Sequence, residues 1–392
     1  MSNFEYYSPT KVVFGKDSES QIGVLVEAQN CHKVLIHYGS GSVIKTGLLD
    51  KVKKALQEKN INFIELGGVV PNPRLSLVYE GIKLVQENDV DFILALGGGS
   101  VIDSAKAIAI GAVNDFDVWD IFEGKNQAKQ CLPIGVVLTI AAAGSETSKS
   151  LVISKEEEGL KRGYGSNLVR PKFAIMNPTL TMTLPDYQTS CGSVDILMHT
   201  MERYFTSGSK MEITDALAEG LMKTVMKNAL ILIDNPQNYD ARAEVMWAGS
   251  LSHNGLTGCG NDRDDFATHA LEHELSALYD VAHGAGLAAM WGSWARYVCV
   301  DCLPRFVQFA LNVMEVSNQG SDLDIAFAGI RAMEEFFSRI QMPINLQELG
   351  IDPSDDDLIL MAKKCAISKN GSCGSAKILH EEDMLSIYRS AR

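Results

Sequence analysis

The chain has 392 residues, 46% hydrophobic and 21% charged, with a formal net charge of −14. That length accommodates two domains with a core each, and the acidic balance argues against nucleic-acid binding, which needs basic stripes. No run of roughly eighteen uninterrupted apolar residues is present, so no membrane-spanning helix is expected.

The opening MSNFEYYSPTKVVFG lacks the basic-then-apolar order of a secretory leader. Thr10–Phe14, Lys33–His37, Asn62–Glu65, Asp91–Leu96, Ile134–Thr139 and Lys172–Met176 are short runs rich in β-branched and aromatic residues. Amphipathic stretches such as Leu48–Lys59 and Leu75–Asn88 lie between them. The alternation predicts an α/β domain over residues 1–185, with a mostly parallel sheet and helices on both faces. After Pro185, runs rich in Ala, Leu, Met, Glu and Lys take over, for example Ile213–Asn228 and Asp240–Ser252, and predict an all-α domain over residues 186–392. The eight cysteines are scattered and form no disulfide framework, which points to a reduced, cytoplasmic setting. Cys299 and Cys302 have the CxxC spacing, but without a second such pair they read as two helix cysteines.

Directly after the strand-like DFILAL come Gly97-Gly98-Gly99-Ser100 and then the helix-like VIDSAKAIAIGA. Glycines let backbone N–H groups approach an anion, and a helix N-terminus adds a favourable dipole, so this turn predicts a phosphate cradle. It is neither GxGxxG nor a Walker loop. A second glycine turn, Gly39-Ser40-Gly41-Ser42, follows KVLIH. An acid placed there would hold an adenosine ribose 2′-hydroxyl; glycine and serine leave room for a 2′-phosphate. The expectation is therefore NADP(H) in preference to NAD(H).

The helical half carries Asp195-x3-His199, His269-x3-His273 and His283. Residues four apart share a helix face, so each pair makes a two-toothed claw. His283 lies fourteen residues beyond His269, a rise of about 21 Å on an unbroken helix. The helix must therefore end, around Asp280, with Gly284 easing the following turn. One carboxylate and several imidazoles, with no thiolate, suit Fe(II) or Zn(II). Ala270 after the first histidine excludes the zinc-protease motif. Spacing alone does not say which of the clustered histidines would bind.

Pro71–Arg74 (PNPR), Leu96–Ala109 (LGGGSVIDSAKAIA), Ala143–Glu146 (AGSE), Leu180–Phe205 and Phe266–Ala289 together resemble the iron-containing alcohol dehydrogenase family, in the branch of butanol dehydrogenases and broad-range aldehyde reductases. The resemblance runs over nearly the whole chain. It implies a Rossmann-like N-terminal domain and a helical C-terminal domain, the architecture shared with dehydroquinate synthase. It implies Asp195, His199, His269 and His283 as metal ligands, Fe2+ favoured and Zn2+ the alternative, with His273 as a catalytic, non-ligand histidine near the nicotinamide. It further implies Gly98, Gly99, Ser100 and Asp103 at the pyrophosphate, Gly39, Gly41 and Ser42 at the adenosine end, and Asn72, Thr139, Ser148, Lys161 and Leu180 along the cofactor groove. Ala141, Ala143, Asn177 and Phe266 depart from the residues usual in the family. The implied activity is hydride transfer between NAD(P)H and a short-chain aldehyde such as butanal. The same architecture hosts glycerol-type dehydrogenases, and an inactive metal- and nucleotide-binding protein is the non-enzyme alternative. Phe4–Phe14 is expected to pair with a second copy in a homodimer, and the partners are otherwise small molecules alone.

Overall fold

The computed structural model describes residues 1–206, 208 and 210–392. The chain divides into two compact units, Ser8–Thr183 and Leu184–Arg392, the latter joined by Met1–Tyr7. The opening residues thus belong with the helical unit rather than with the α/β unit that follows them.

In the α/β unit, the strands are β1 (Lys11–Phe14), β2 (Lys33–Gly39), β3 (Asn62–Val69), β4 (Phe92–Gly97), β5 (Ile134–Leu138), β6 (Ser150–Lys155), β7 (Leu160–Gly165) and β8 (Phe173–Met176). Helices α1 (Ile22–Glu27), α2 (Ser42–Lys45), α3 (Leu48–Gln57), α4 (Leu75–Glu87) and α5 (Gly99–Gly111) alternate with them. Among the described residues six strands form one sheet in the order β1-β8-β5-β4-β2-β3. Every pairing in it is parallel. Its central strands β4 and β5 are buried at every position, which is why they read as continuous apolar runs instead of alternating ones.

Strand order reverses between β2 and β4, since β3 lies outside β2 and β5 lies on the far side of β4. Ligands of open α/β sheets bind at such a switch point, beyond the carboxyl ends of the strands. Here both glycine turns sit at that place, because Tyr38 of β2 is paired with Leu96 of β4. The antiparallel hairpin β6–β7 lies apart from the main sheet. Its hydrophobic alternation is short and broken by Lys155 and three glutamates, so it is absent from the sequence reading.

The helical unit contains α6 (Asp186–Tyr204), α7 (Glu212–Asp234), α8 (Tyr239–His253), α9 (Ala267–Tyr279), α10 (His283–Val298), α11 (Leu303–Asn312), α12 (Asp322–Arg339), α13 (Asp355–Ser368) and α14 (Glu381–Ala391). Its core centres on α10, whose Trp291 and Trp294 are fully buried. Trp294 packs against Phe205 and Phe306, and Trp291 against Phe309 and Phe337. Each such ring removed from water contributes on the order of 2 kcal/mol. No helix among the described residues is long and apolar enough to cross a membrane.

Candidate metal centre and nucleotide cradle

Helix α6 sets the first half of the centre. Asp195 and His199 are one turn apart, both buried, with His199 Nδ1 3.4 Å from Asp195 Oδ1. Helix α9 supplies His269, whose Nε2 lies 3.6 Å from the same oxygen. The chain then breaks where the spacing requires it. Asp280 is left-handed at φ 51° and ends α9, a conformation that Asp tolerates better than most residues. Helix α10 begins at His283, whose Nε2 is 3.8 Å from Asp195 Oδ1.

Gly284 does not ease that turn. It lies inside α10, where a Cβ would fall 2.1 Å from the carbonyl oxygen of Cys191. Its missing side chain lets α10 cross α6 closely, one turn before Asp195, and that crossing brings His283 to the carboxylate.

Asp195 Oδ1, His199 Nδ1 and His269 Nε2 are buried with no hydrogen-bond partner. Orphaned buried groups are costly. These three lie within 4.8 Å of one another, a spacing that a cation among them would satisfy. Two further carboxylates, Glu202 and Glu272, are fully buried beside them. Glu202 accepts from His269 Nδ1, and its other oxygen accepts from the His269 backbone N–H at 3.0 Å. It thereby also caps the first turn of α9 from a neighbouring helix. Glu272 accepts from His283 Nδ1 and from Ser276 Oγ. Carboxylates in this position fix the tautomer and ring orientation of metal-binding histidines. A divalent cation would offset the charge of three buried carboxylates. On chemistry and geometry together, these residues fit the metal.

A second group, Glu272, His273 and His283, also has ligand atoms within 4.8 Å. There both Glu272 oxygens are already accepting, so the group is a weaker candidate. His273 is half-buried one turn along α9 from His269, with its ring 5.8 Å from that of His283. Burial drives the His199 imidazole well below its usual pKa, helped by His253 and His269. For His269 burial acts in the same direction, but Glu202 and Asp195 overcome it and raise the ring to about 9.

Glu202 and Glu272 escaped the sequence reading. The available signal was position: Glu202 is one turn after His199, and Glu272 is one turn before Ser276 and directly before His273. Nothing in that pattern tells a buried carboxylate from a solvated one.

In the α/β unit the glycine turn links β4 to α5, with Gly98 as the N-cap residue. A Cβ at Gly98 would lie 2.8 Å from Cβ of Ile140, and one at Gly99 would lie 3.1 Å from that of Ala143. Ser100 follows in the first turn of α5. Gly39 ends β2, and Gly41 (φ 157°) precedes Ser42 at the start of α2. Thr139 follows β5, its N–H donating to the Gly97 carbonyl at 3.1 Å. Asn72, left-handed at φ 54°, follows β3, and Leu180 follows β8 in the helical turn Pro178–Thr181, packed on the core. Lys161 is buried on β7 opposite Ser154, whose N–H donates to Pro73, next to Asn72.

Asp103 turns inward. Its carboxylate accepts from Ser145 Oγ at 2.5 Å and from the Val152 N–H at 2.9 Å. A carboxylate facing a pyrophosphate would repel it; here Asp103 braces the segment that carries Ser148. One turn on, the fully buried Lys106 donates to the carbonyls of Ser145, Ser148 and Ser150 at 2.7, 3.2 and 2.8 Å. Burial lowers its pKa to about 8.

Residues 9–178 match the family described as iron-containing alcohol dehydrogenase, and residues 189–392 match the Fe-containing alcohol dehydrogenase family, C-terminal. The chain is 40% identical over 392 residues, 100% of both chains, to NADH-dependent butanol dehydrogenase A of Clostridium acetobutylicum. It is 38% identical over 363 residues, 92% of each, to the NADPH-dependent aldehyde reductase YqhD of Escherichia coli. The crystal structure of NADH-dependent butanol dehydrogenase A from Thermotoga maritima matches with a TM-score of 0.96 and 37% identity, covering 100% of this chain and 99% of that one. These relationships correct the NADP(H) preference drawn from Gly39, Gly41 and Ser42. The butanol dehydrogenases matched in sequence over the whole chain are NADH-dependent, whereas the NADPH-dependent reductase is matched in sequence over 92% and at lower identity than butanol dehydrogenase A. The physical error lies in treating an absence as a partner. Lack of an acid removes repulsion of a 2′-phosphate, but it adds no cation to hold one.

Proposed function

Because this chain belongs to the iron-containing alcohol dehydrogenase family, we infer that it is a metal-dependent oxidoreductase interconverting short-chain aldehydes and alcohols with NAD(H). The observation that carries this reading is the set of three buried, unpartnered ligand atoms on Asp195, His199 and His269, with His283 beside them. These four residues would hold the divalent ion, Fe2+ in preference to Zn2+. When bound, the ion supplies a Lewis acid for the substrate oxygen, and the nicotinamide gives or takes the hydride.

The chain's own groups do the rest. Glu202 and Glu272 hold the Nδ1 protons of His269 and His283, which directs each Nε2 lone pair towards Asp195. Burial of Asp195, His199 and His269 excludes water from the charge they gather. In this reading His273, half-buried with its ring 5.8 Å from that of His283, passes the hydroxyl proton outward. We assign nucleotide binding to the α/β domain, expected over residues 1–185 and compact over Ser8–Thr183. Gly98, Gly99 and Ser100 take the pyrophosphate, and Asp103, one turn on in α5, braces the neighbouring segment that carries Ser148. Gly39, Gly41 and Ser42 take the adenosine end, and Asn72, Thr139, Ser148, Lys161 and Leu180 line the groove. Metal binding and catalysis fall to the helical domain, residues 186–392.

Strand β1 lies at the sheet edge, which supports pairing with a second copy in a homodimer. All eight cysteines are free thiols, in keeping with a cytoplasmic enzyme acting on small molecules and not on nucleic acid. The test is NADH oxidation with butanal by iron-loaded protein, with and without a chelator. Chelator-sensitive turnover is expected. Turnover unaffected by complete metal removal would overturn the reading, and activity confined to polyols would move it to the glycerol-type enzymes.

A further inference from the structure

The three candidate histidine ligands are not held alike. His269 and His283 each donate Nδ1–H to a fully buried carboxylate, Glu202 and Glu272. Nothing of that kind holds the His199 ring among the described residues: Nδ1 is its unpartnered, metal-facing atom, and no carboxylate accepts from the outer nitrogen, Nε2. Ring faces surround it instead. The imidazole of His253, from the last turn of α8, lies 3.9 Å away centroid to centroid at an interplanar angle of 38°. The rings of His269 and Phe266 are farther off, at 4.6 and 6.2 Å.

His253 is itself fixed. Arg203 Nη2 lies 3.1 Å from His253 Nδ1. Arginine has donors only, so Nδ1 accepts, and the imidazole is the neutral tautomer with its proton on Nε2. The same guanidinium donates through Nη1 to the carbonyls of His199 at 2.6 Å and Ser252 at 3.1 Å. Its other face lies 4.8 Å from the centre of the Phe266 ring. Arg203 thus ties the backbone of His199 to the ring that covers it.

We propose that His253 is a positioning residue of the metal centre. Clamped by Arg203, it presents its ring face to His199 and fixes that imidazole's plane, the task that Glu202 and Glu272 perform for the other two histidines by hydrogen bonding. The inference rests on the metal reading above. It predicts that the flat face at position 253 carries most of the effect on the metal, and that Nδ1 acts only through the Arg203 clamp.

The test uses Co2+ as a probe ion. Its affinity is measured by chelator competition, and its ligand geometry by visible absorption, in the parent, His253→Ala, His253→Phe and His269→Ala. His253→Ala should weaken Co2+ binding about three- to tenfold, the range of one aromatic contact, and alter the spectrum. His253→Phe, which keeps the flat face and loses the Arg203 hydrogen bond, should stay much nearer the parent than His253→Ala in both affinity and spectrum. If His253→Ala does not fold, His253→Leu, which keeps bulk without a flat face, carries the same expectation. Parent-like affinity and spectrum in His253→Ala would overturn the proposal, as would a loss in His253→Phe as large as that in His253→Ala. Equal Co2+ binding by the parent and His269→Ala would instead overturn the metal reading, and this inference with it.

Discussion

The two units build their candidate sites from different materials. In the α/β unit the cradle is mostly backbone: glycine turns at the ends of β2 and β4, brought together by strand register. In the helical unit the centre is all side chain: a carboxylate and three imidazoles from α6, α9 and α10, held by further side chains behind them. A backbone cradle is disturbed by adding atoms, since its function depends on space. A side-chain cage is disturbed by removing them, since each group leaves a buried partner unsatisfied.

The sharpest test of this contrast is Asp195→Ala. All three histidine contacts in the centre converge on Asp195 Oδ1, so metal loading should vanish. Elemental analysis after anaerobic loading would check it, with circular dichroism showing the fold retained. Next comes Gly98→Val, which adds atoms where Ile140 stands 2.8 Å from the Cβ position. NADH affinity should fall at least about tenfold, equivalent to 1.4 kcal/mol, as read by quenching of protein fluorescence, while metal content stays at the parent level. Gly99→Ala, whose Cβ meets only Ala143 at 3.1 Å, should be milder. A metal defect in Gly98→Val would break the separation of the two sites.

Glu202→Gln is isosteric and leaves an acceptor for one of the two N–H groups of His269. It should lower metal affinity about 10- to 100-fold, as outer carboxylates generally do, without changing NADH affinity. Chelator competition reads the first quantity, and fluorescence the second.

The last effect, one of pH in the α/β unit, touches stability alone and neither site. His37 is fully buried, with Nδ1 2.9 Å from the Leu66 carbonyl and Nε2 2.8 Å from Ser104 Oγ. The carbonyl can only accept, so Nδ1 donates, and the neutral ring takes the serine proton on Nε2. Burial lowers its pKa from 6.5 to about 4. The folded state therefore resists protonation in a range where the unfolded chain does not. Stability from His37 is complete above pH 6.5 and is lost as pH falls towards about 4, by up to about 3 kcal/mol. His37→Gln keeps a donor and an acceptor without the titration. Urea unfolding across that window should show a shallower acid loss than in the parent; identical slopes would refute the assignment.

How much was legible varied by site. The six parallel strands stood out in two ways: β4, β5 and β8 as fully buried apolar runs, and the more exposed β1 and β3 as short runs of β-branched and aromatic residues. The hairpin β6–β7 did not, since Lys155 and the glutamates after it masked its alternation. The break at Asp280 followed from arithmetic: on a straight helix His269 and His283 are too far apart to share an ion. Gly284 was placed correctly and explained wrongly, because sequence shows where a glycine stands but not which backbone passes over it.

By itself the sequence determined the class of each unit, the two glycine turns and the family. These are properties of periodicity, local chain geometry and ordered motifs, all written along one dimension. Only the tertiary structure decided which polar groups lost their water. Glu202, Glu272, Arg203 and His253 are ordinary polar residues on helices until α6, α8, α9 and α10 pack together. Burial then makes each of them choose a partner, and those choices, made across 11 to 67 residues of chain, orient the imidazoles around Asp195.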